Sequence, residues 1–288
     1  MLTNEDKAKI SNLNIINGVN IPADDAVIWR YMSFSRFEQM INDSAIYLAR
    51  IDQFADFTEG SFTHAMAKRS FDGLKASGVP DVVAYAPQKI CAHHNNYWYA
   101  SCWNANKVES NLFWRAYGSP KKDDKYQFKV AIKTTAKKLI SSINQNINYQ
   151  LYFGEINYID FDKDDPSADS NYAHGYLQYK KKQEYQSEHE IRLAIFDIKS
   201  IRGGVLSQMP ATPIGISIPV DLDILIDEIY VEAVPKDQLW QLIHKEKNIT
   251  NKAIHEKCVE LINKRFVLIQ AVLDRKNVIK SFKNSVIL

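Results

Sequence analysis

The sequence predicts an α+β fold, in which a mixed or antiparallel sheet is flanked by helices and followed by a C-terminal helical extension. The composition supports this class, because 288 residues with 45% hydrophobic and 24% charged side chains are typical of a globular protein with a large core. Alternating or β-rich segments recur as far as Val231, with helical segments between them. Apolar residues near the end of the chain then follow a helical period.

The predicted strands are rich in β-branched and aromatic residues. They are Ala26–Phe34, Ala45–Ile51, Tyr97–Trp103, Tyr126–Lys133, Leu151–Phe161, Glu188–Phe196, Gly215–Pro219 and Ile226–Val231. The predicted helices between them are Ser35–Asn42, Ser110–Tyr117 and Thr134–Asn146, and Ser33 or Ser35 is the expected N-cap of the first. A loop-rich break from Asp160 to Gly175 predicts a long surface loop.

The C-terminal segment carries an apolar stripe over about five helical turns, with Thr250 or Asn251 as its cap. The stripe consists of Ile254, Cys258, Leu261, Ile262, Phe266, Ile269 and Leu273. From Lys236 onward there are 11 Lys and Arg against 5 Asp and Glu. This excess indicates a solvated helix face, the commoner case, or a patch for nucleic acid or lipid headgroups. We predict one α+β domain over residues 1–245 and an amphipathic helical extension over residues 246–288 packed on it.

Charge and hydropathy restrict the partners and the location. A net charge of +2 gives no strong field for steering nucleic acid or an anionic membrane. No apolar run approaches the length of about 18 residues that a membrane span needs. Met1–Lys9 carries two acidic residues and no apolar run follows it, which is unlike a secretory signal. We therefore expect no membrane partner and a cytoplasmic location.

The sequence indicates no metal site. The three cysteines have no close pair, so neither a disulfide framework nor a zinc site is expected. His93 and His94 are adjacent, and on a strand their side chains would point apart. No acidic residue or cysteine stands near them at ligand spacing. A phosphate-binding glycine loop and a Gly-x-Ser-x-Gly nucleophile motif are also missing from the sequence.

The segment Glu188-x-Glu190-x-Arg192 is the most informative motif. On a strand these three side chains point to one face, with successive members about 6.6 Å apart. Arg192 can then neutralise Glu190 while Glu188 stays free to accept a proton. The motif therefore suits general-base or electrostatic chemistry. The alternative is a charge ladder on a solvated sheet face.

Three other patterns yield candidate binding residues. Arg30 shares a strand face with apolar residues, so a carboxylate or phosphate is expected opposite it, from a ligand or from an internal ion pair. The sequence places Ser101 and Trp103 on one strand face, and Trp114 and Tyr117 on one helix face. Such rings can stack on a planar ligand, although packing in the core is their commoner use.

The loop from Phe54 to Gly60 follows a short strand and contains two acids, a glycine and two phenylalanines. It could form the rim of a site. Equally, it could be a capped turn in which Asp56 accepts backbone N–H bonds and Gly60 ends the turn.

These segments, in this order, resemble a large and mostly bacterial family catalogued as domain of unknown function family 2971. The matching pieces are Trp29-Arg30-Tyr31, Phe54-x-Asp56-x-x-Glu59-Gly60, Ser101-Cys102-Trp103, Asn111-Leu112-x-Trp114-x-x-Tyr117, Glu188-x-Glu190-x-Arg192 and Ile226-x-Glu228-Ile229-Tyr230-Val231. The resemblance covers about residues 26–245. It departs at Ala55, where the family often has Asn.

Arg30, Ser101 and Glu188-x-Glu190 are more distantly similar to the motif residues of ADP-ribosyltransferases of the Arg-Ser-Glu kind, which have a split sheet. The resemblance implies that Arg30 holds the NAD pyrophosphate and Ser101 orders the site. It also implies that Glu190 binds the nicotinamide ribose and stabilises an oxocarbenium-like transition state, while Glu188 activates the acceptor. Further contacts with NAD would come from the aromatic residues Tyr31, Phe54, Trp103, Trp114 and Tyr117. Cys102 follows the serine where that class has Thr-Ser.

The function that this resemblance implies is ADP-ribosyl transfer from NAD, or NAD glycohydrolysis, in a bacterial toxin or phage-defence setting. The partners would be an NAD-like nucleotide as substrate and a protein or nucleic acid as acceptor. One alternative is a Mg²⁺-dependent nuclease that uses Asp56, Glu59, Glu188 and Glu190. Another is a non-enzymatic ligand-sensing or interaction module with an aromatic pocket.

Overall fold

The computed structural model describes residues 13–14, 16, 19–144, 147, 149–166, 176–197, 213–234 and 251–285. The described chain forms two compact units, each assembled from three separate stretches of sequence. The first unit comprises Met1–Ala23, Ile46–Ala105 and Gln145–Ile218. The second comprises Asp24–Ala45, Asn106–Asn144 and Pro219–Leu288.

The fold is α+β. The strands are β1 (Leu13–Asn14), β2 (Val27–Ser33), β3 (Ala45–Arg50), β4 (Trp98–Ala105), β5 (Lys129–Thr135), β6 (Gln150–Glu155), β7 (Asn157–Ile159), β8 (Lys180–Lys182), β9 (Glu190–Phe196), β10 (Gly215–Pro219), β11 (Glu228–Val231) and β12 (Ser281–Asn284). The helices are α1 (Phe34–Asp43), α2 (His64–Ala76), α3 (Asp81–Ala84), α4 (Ala86–His94), α5 (Asn111–Ala116), α6 (Ala136–Ser142), α7 (Leu222–Leu225) and α8 (Asn251–Asp274).

In the first unit, a mixed sheet is built around β9. Strand β9 pairs antiparallel with β4 on one side and with β6 on the other. β1 joins β6 in parallel, β3 pairs antiparallel with β4, and β10 pairs with β3. β7 and β8 form a separate parallel pair, in which Tyr158 is opposite Lys181. This small ribbon matters for the site described below.

In the second unit, β5 lies between β2 and β11 in antiparallel pairings, and β12 joins β11 in parallel. The α1 helix begins directly after β2. The Ser33 hydroxyl accepts a hydrogen bond from the Arg36 N–H, so Ser33 is the N-cap. The long C-terminal helix α8 also belongs to this unit.

The predicted mixed sheet with flanking helices and a C-terminal helix is therefore confirmed. The β10 strand has the predicted bounds, and the predicted strand Leu151–Phe161 is divided into β6 and β7 at Ile156. Helices α2 to α4 were not predicted, because each buries a single side chain and so has no apolar stripe. The buried residues are Met66, Ala84 and Cys91. The strand context assumed for His93 and His94 is wrong, since they end α4.

Parts of several predictions lie outside the described residues. These parts are residues 167–175 of the predicted surface loop, the proposed cap Thr250 and residues 246–250 and 286–288 of the predicted extension. The division into residues 1–245 and 246–288 stays a prediction. None of the helices in the described ranges combines the length and the apolar composition needed to cross a bilayer.

Candidate functional site

One face of the paired strands β4 and β9 changes from aromatic to charged along its length. Across the pair, Trp98 is opposite Phe196 and Ala100 is opposite Ala194, and these four residues belong to a buried apolar core. Farther along the same face, Cys102 is opposite Arg192 and Asn104 is opposite Glu190. A core that is apolar at one end therefore becomes an ionic cluster at the other.

The ionic cluster is a closed ring of four side chains, Glu59, Lys181, Glu190 and Arg192, with Glu188 attached. Nη2 of Arg192 lies 2.6 Å from Glu59 Oε2 and 2.7 Å from Glu190 Oε1. Nζ of Lys181 lies 3.0 Å from Glu190 Oε2 and 3.5 Å from Glu59 Oε1. Each of these two carboxylates thus uses one oxygen for Arg192 and the other for Lys181. We call this set, together with Glu188, the five-residue ion cluster.

The cluster is withdrawn from solvent. The Arg192 side chain is 0% exposed, those of Glu59 and Glu190 are 4% and 5% exposed, and that of Glu188 is 11% exposed. Charges with so little access to water are stable only when they are paired and hydrogen-bonded. The exposed charge ladder considered for this strand face is therefore not what forms.

The structure corrects two expectations about Glu188. It ends a 3-10 helix, Gln183–Glu188, and His189 turns the chain into β9 with a φ of 41°, so Glu188 is not part of the strand. Its carboxylate is not free, because Oε2 accepts a hydrogen bond of 2.6 Å from Lys181 Nζ. The backbone oxygen of Glu188 also accepts a hydrogen bond from the side-chain amide of Asn104.

The loop that carries Glu59 is a capped turn, one of the two alternatives considered for it. Oδ1 of Asp56 accepts hydrogen bonds from the backbone N–H and the hydroxyl of Thr58, at 2.9 and 2.7 Å. Gly60 then adopts a φ of +69°, which glycine accommodates best. The Glu59 carbonyl accepts a bond from Asn95 Nδ2 at 3.1 Å. These local bonds fix the direction in which Glu59 enters the cluster.

The β7–β8 ribbon brings Lys181 to the cluster. The Tyr158 hydroxyl of β7 accepts a hydrogen bond of 2.8 Å from the Glu190 backbone N–H. Lys181 is paired with Tyr158 in the ribbon, so its ammonium group reaches the start of β9. The ribbon is therefore attached to β9 by one backbone contact and by the ion cluster.

The electrostatic environment shifts the pKa values of Glu190 and Glu59 in opposite directions. Burial opposes ionisation of Glu190, but the charges of Arg192 and Lys181 outweigh it and hold its pKa at about 2. For Glu59, burial dominates over the attraction of Arg192 and raises the pKa. Glu190 is thus the carboxylate that stays ionised, and Glu59 is the one that protonates more readily.

Ser101 and Trp103 do not join the ion cluster. On β4 they are opposite Leu193 and Ile191, so they point to the other face of the sheet from Glu190 and Arg192. Both are buried, and Trp103 Nε1 donates to the Ser101 hydroxyl at 3.0 Å. The resemblance implies that Ser101 orders the site, but the Ser101 side chain and that of Glu190 lie on opposite faces of adjacent strands. Phe54 does contact the ion cluster, since its ring centroid lies 5.4 Å from Arg192 Cζ.

The remaining predicted binding residues belong to the second unit. Arg30 is half-buried on β2, opposite Ile132 of β5. Tyr31 and Trp114 are buried against each other, with ring centroids 5.0 Å apart. The Tyr31 hydroxyl accepts a bond from the Ser110 N–H. Tyr117 is 38% exposed and stacks on Phe113. These rings pack mainly on one another, and their role as NAD contacts stays a prediction.

Comparisons with known proteins were made for the whole chain. No protein-family model matches it, and no curated protein matches it either. The chemistry of the cluster must therefore be inferred from its own residues.

The cluster does not have the form of a metal site. Lys181 and Arg192 lie between the carboxylates that a Mg²⁺-dependent nuclease would use as ligands. In the part of the chain that the structure describes, no three His, Cys, Asp or Glu side chains are arranged to hold a metal ion. The geometry gives the nuclease alternative no support.

Sequence reasoning missed Lys181 entirely and used Glu59 only as a nuclease ligand. Lys181 lies in the run Lys180–Lys182, which has the composition of a solvated basic segment. The available signal was an imbalance of charge in the motif itself, where Glu188 and Glu190 stand beside a single cation, Arg192. If this segment is buried, a further buried cation is expected to pair with the carboxylates.

Proposed function

We propose that the chain cleaves the bond between nicotinamide and ribose in NAD or a NAD-like nucleotide, with transfer of ADP-ribose to water or to another acceptor. The observation that carries this proposal is the pair of carboxyl groups at the start of β9. The Glu190 carboxylate is kept ionised there by two cations, and Glu188 lies beside it as the most exposed carboxylate of the ion cluster.

The chemistry needs one fixed negative charge and one proton acceptor. When the C1′–N bond of the nicotinamide ribose breaks, the bonding electron pair leaves with nicotinamide and positive charge develops on the ribose. An ionised carboxylate held in place stabilises that charge. The oxygen of water or of an acceptor hydroxyl then bonds to C1′, and its proton passes to a base, the role we assign to Glu188. Glu190 supplies the fixed charge.

The chain order supports an ADP-ribosyltransferase-like arrangement, because that class has a serine on a central strand and a Glu-x-Glu on a later strand, as on β4 and β9 here. The proposal differs from that class in one respect. Ser101 faces away from Glu190, so the ordering role passes to Lys181, Arg192 and Phe54, which contact the carboxylates or each other. The role of Arg30 as a pyrophosphate ligand stays a prediction from the resemblance.

A second candidate function is a non-enzymatic ligand-sensing or interaction module. It is favoured by one specific observation, that both carboxylate oxygens of Glu190 are engaged in ion pairs within the protein. In that case the ion cluster holds the loop 54–60 and the β7–β8 ribbon to the sheet and takes no part in a reaction. The two candidates differ in whether NAD is consumed.

The test is nicotinamide release from NAD by the purified chain, measured by chromatography. The variants are Glu188→Gln and Glu190→Gln, and Glu184→Gln is the matched control because Glu184 is exposed on the same 3-10 helix as Glu188. We expect turnover by the wild type and the control, and a loss of about 100-fold or more in the two variants. Circular dichroism and thermal unfolding verify that each variant is folded.

Label transfer from radiolabelled NAD into a cell lysate then distinguishes hydrolysis from transfer. Turnover that persists undiminished in folded Glu190→Gln would contradict the assigned role of that residue. If the wild type releases no nicotinamide and calorimetry shows that NAD binds, the sensing module is correct. If NAD does not bind either, NAD is not the ligand.

A further inference from the structure

Lys181 contacts all three glutamates of the ion cluster. Its Nζ lies 2.6 Å from Glu188 Oε2, 3.0 Å from Glu190 Oε2 and 3.5 Å from Glu59 Oε1. Arg192 reaches only Glu59 and Glu190. The ammonium group therefore sets the position of Glu188 relative to Glu190.

We propose that Lys181 is the positioning residue of the site, which fixes the carboxylate of Glu188 at a set distance from that of Glu190. The inference rests on the proposed function, and it adds a residue that neither the motif nor the resemblance assigns. Lys181 is suited to this role because its backbone is held by β7 and its side chain is 8% exposed. An immobilised ammonium group fixes a carboxylate better than a solvated ammonium group does, because less conformational entropy is lost when the contact forms.

The groups that face Lys181 come from every segment packed against it. They are Glu59 of the capped turn, Glu188 of the 3-10 helix, Glu190 and Arg192 of β9, Tyr158 of β7, Tyr185 of the 3-10 helix, and Cys102 of β4 through its contact with Glu190. Among these, only Arg192 carries a positive charge. Removal of the Lys181 charge would leave three carboxyl groups to share one cation. The pKa values of Glu59 and Glu190, which the Lys181 charge lowers, must then rise.

The test is the pH dependence of nicotinamide release in Lys181→Met, Lys181→Arg and Lys182→Met. Lys182 is the matched control, since it is the next residue of β8 and its Nζ lies 6.0 Å from the centroid of the Phe57 ring. Within the described residues it forms no ion pair with the cluster. We expect Lys181→Met to lose at least about tenfold in rate at neutral pH and to shift the acid limb of the profile upward by about 1–3 units. Lys181→Arg and Lys182→Met should keep the wild-type profile.

A folded Lys181→Met variant with the wild-type rate and profile would overturn the inference. So would a Lys182→Met or Lys181→Arg variant that behaves like Lys181→Met. If Lys181→Met does not fold, the wild type decides by NMR of the ¹⁵N-labelled lysine ammonium groups, with Lys181→Arg and Lys182→Met identifying the two signals. A Lys181 ammonium group that exchanges its protons much more slowly than that of Lys182 supports the inference, because a buried and paired ammonium group is protected from water. Equally fast exchange of the two groups overturns it.

The NMR experiment also separates the two proposals. If the wild type releases no nicotinamide, the proposed function fails. The proton exchange of the Lys181 ammonium group in the wild type then still shows whether Lys181 is held by the carboxylates.

Discussion

Nη2 of Arg192 lies 2.6 Å from Oε2 of Glu59, a residue 133 positions earlier in the chain. The two side chains are 0% and 4% exposed, so the pair is almost fully desolvated. Such a pair contributes little over an apolar replacement of both partners, but loss of one partner leaves a buried charge unpaired. The contact therefore makes the loop 54–60 dependent on β9.

Replacement of Arg192 by Met should destabilise the protein by about 3–5 kcal/mol, because Glu59 and Glu190 each lose their shortest ion pair. The matched control is Arg69→Met. Arg69 is 56% exposed and pairs with Asp165 at 3.6 Å, so its loss should cost no more than about 1 kcal/mol. Urea denaturation at pH 7 measures both. Equal effects of the two substitutions would contradict the importance of the buried cluster.

Glu190 should make the stability depend on pH at the acid end. Its pKa is lowered to about 2 in the folded protein, so the unfolded chain takes up the proton first as the pH falls. The stabilisation is complete above the unfolded value of about 4.3 and is lost as the pH falls toward 2. The free energy of unfolding should fall over this range, with a contribution from Glu190 on the order of 3 kcal/mol.

Urea titrations between pH 7 and pH 3 test this dependence. The fall should be clearly smaller in Glu190→Gln and unchanged in Glu184→Gln, which removes an exposed carboxyl of the same region. A fall of equal size in both variants would show that Glu190 has an ordinary pKa.

Gly60 and Gly73 should respond in opposite directions to alanine. At Gly60, φ is +69° and a Cβ atom would lie 2.3 Å from Asn95 Oδ1, so Gly60→Ala should destabilise by about 1–2 kcal/mol or more. Gly73 lies within α2 with no atom near the position of its Cβ, so Gly73→Ala should stabilise by about 0.5–1 kcal/mol. Thermal unfolding of the two variants gives the signs. A tolerated Gly60→Ala would mean that the turn has another conformation.

Ser33 should be more sensitive to alanine than Ser35. The Ser33 hydroxyl accepts the Arg36 N–H at the start of α1, and loss of such a cap costs about 0.5–2 kcal/mol. Ser35 lies inside the first turn of the helix, where alanine has a higher helix propensity. The expected order of unfolding midpoints is Ser35→Ala at or above the wild type and Ser33→Ala below it. The reverse order would show that Ser35, and not Ser33, is the N-cap.

The sequence predicted those features that depend on local chemistry. The bounds of β10 follow from a short β-branched run that ends at a proline, and the turn at Asp56 follows from a side chain that bonds to its own backbone. Alternation along β2 placed Arg30 beside buried residues, where it is half-buried. In each case the deciding interactions lie within a few residues of one another.

The sequence could not predict the features that depend on distant partners. Lys181 is buried because three carboxylates surround it, and none of them follows from the composition of a lysine run. The positive φ of His189 makes β9 begin two residues later than predicted, and such a conformation is not expected of a non-glycine residue. The opposite facing of Ser101 and Glu190 depends on the register between β4 and β9, and a shift of one residue would reverse it.

The division of each unit into three stretches of chain has a consequence for synthesis. The last stretch of the first unit is Gln145–Ile218, and it supplies β9 at the centre of that unit's sheet. A nascent chain that has reached Asn144 has made β3 and β4 but not β9, which pairs with the other edge of β4. Its unpaired strand edge and apolar surface are open to aggregation until β9 leaves the ribosome. Chaperone dependence during translation should therefore be greatest in this interval.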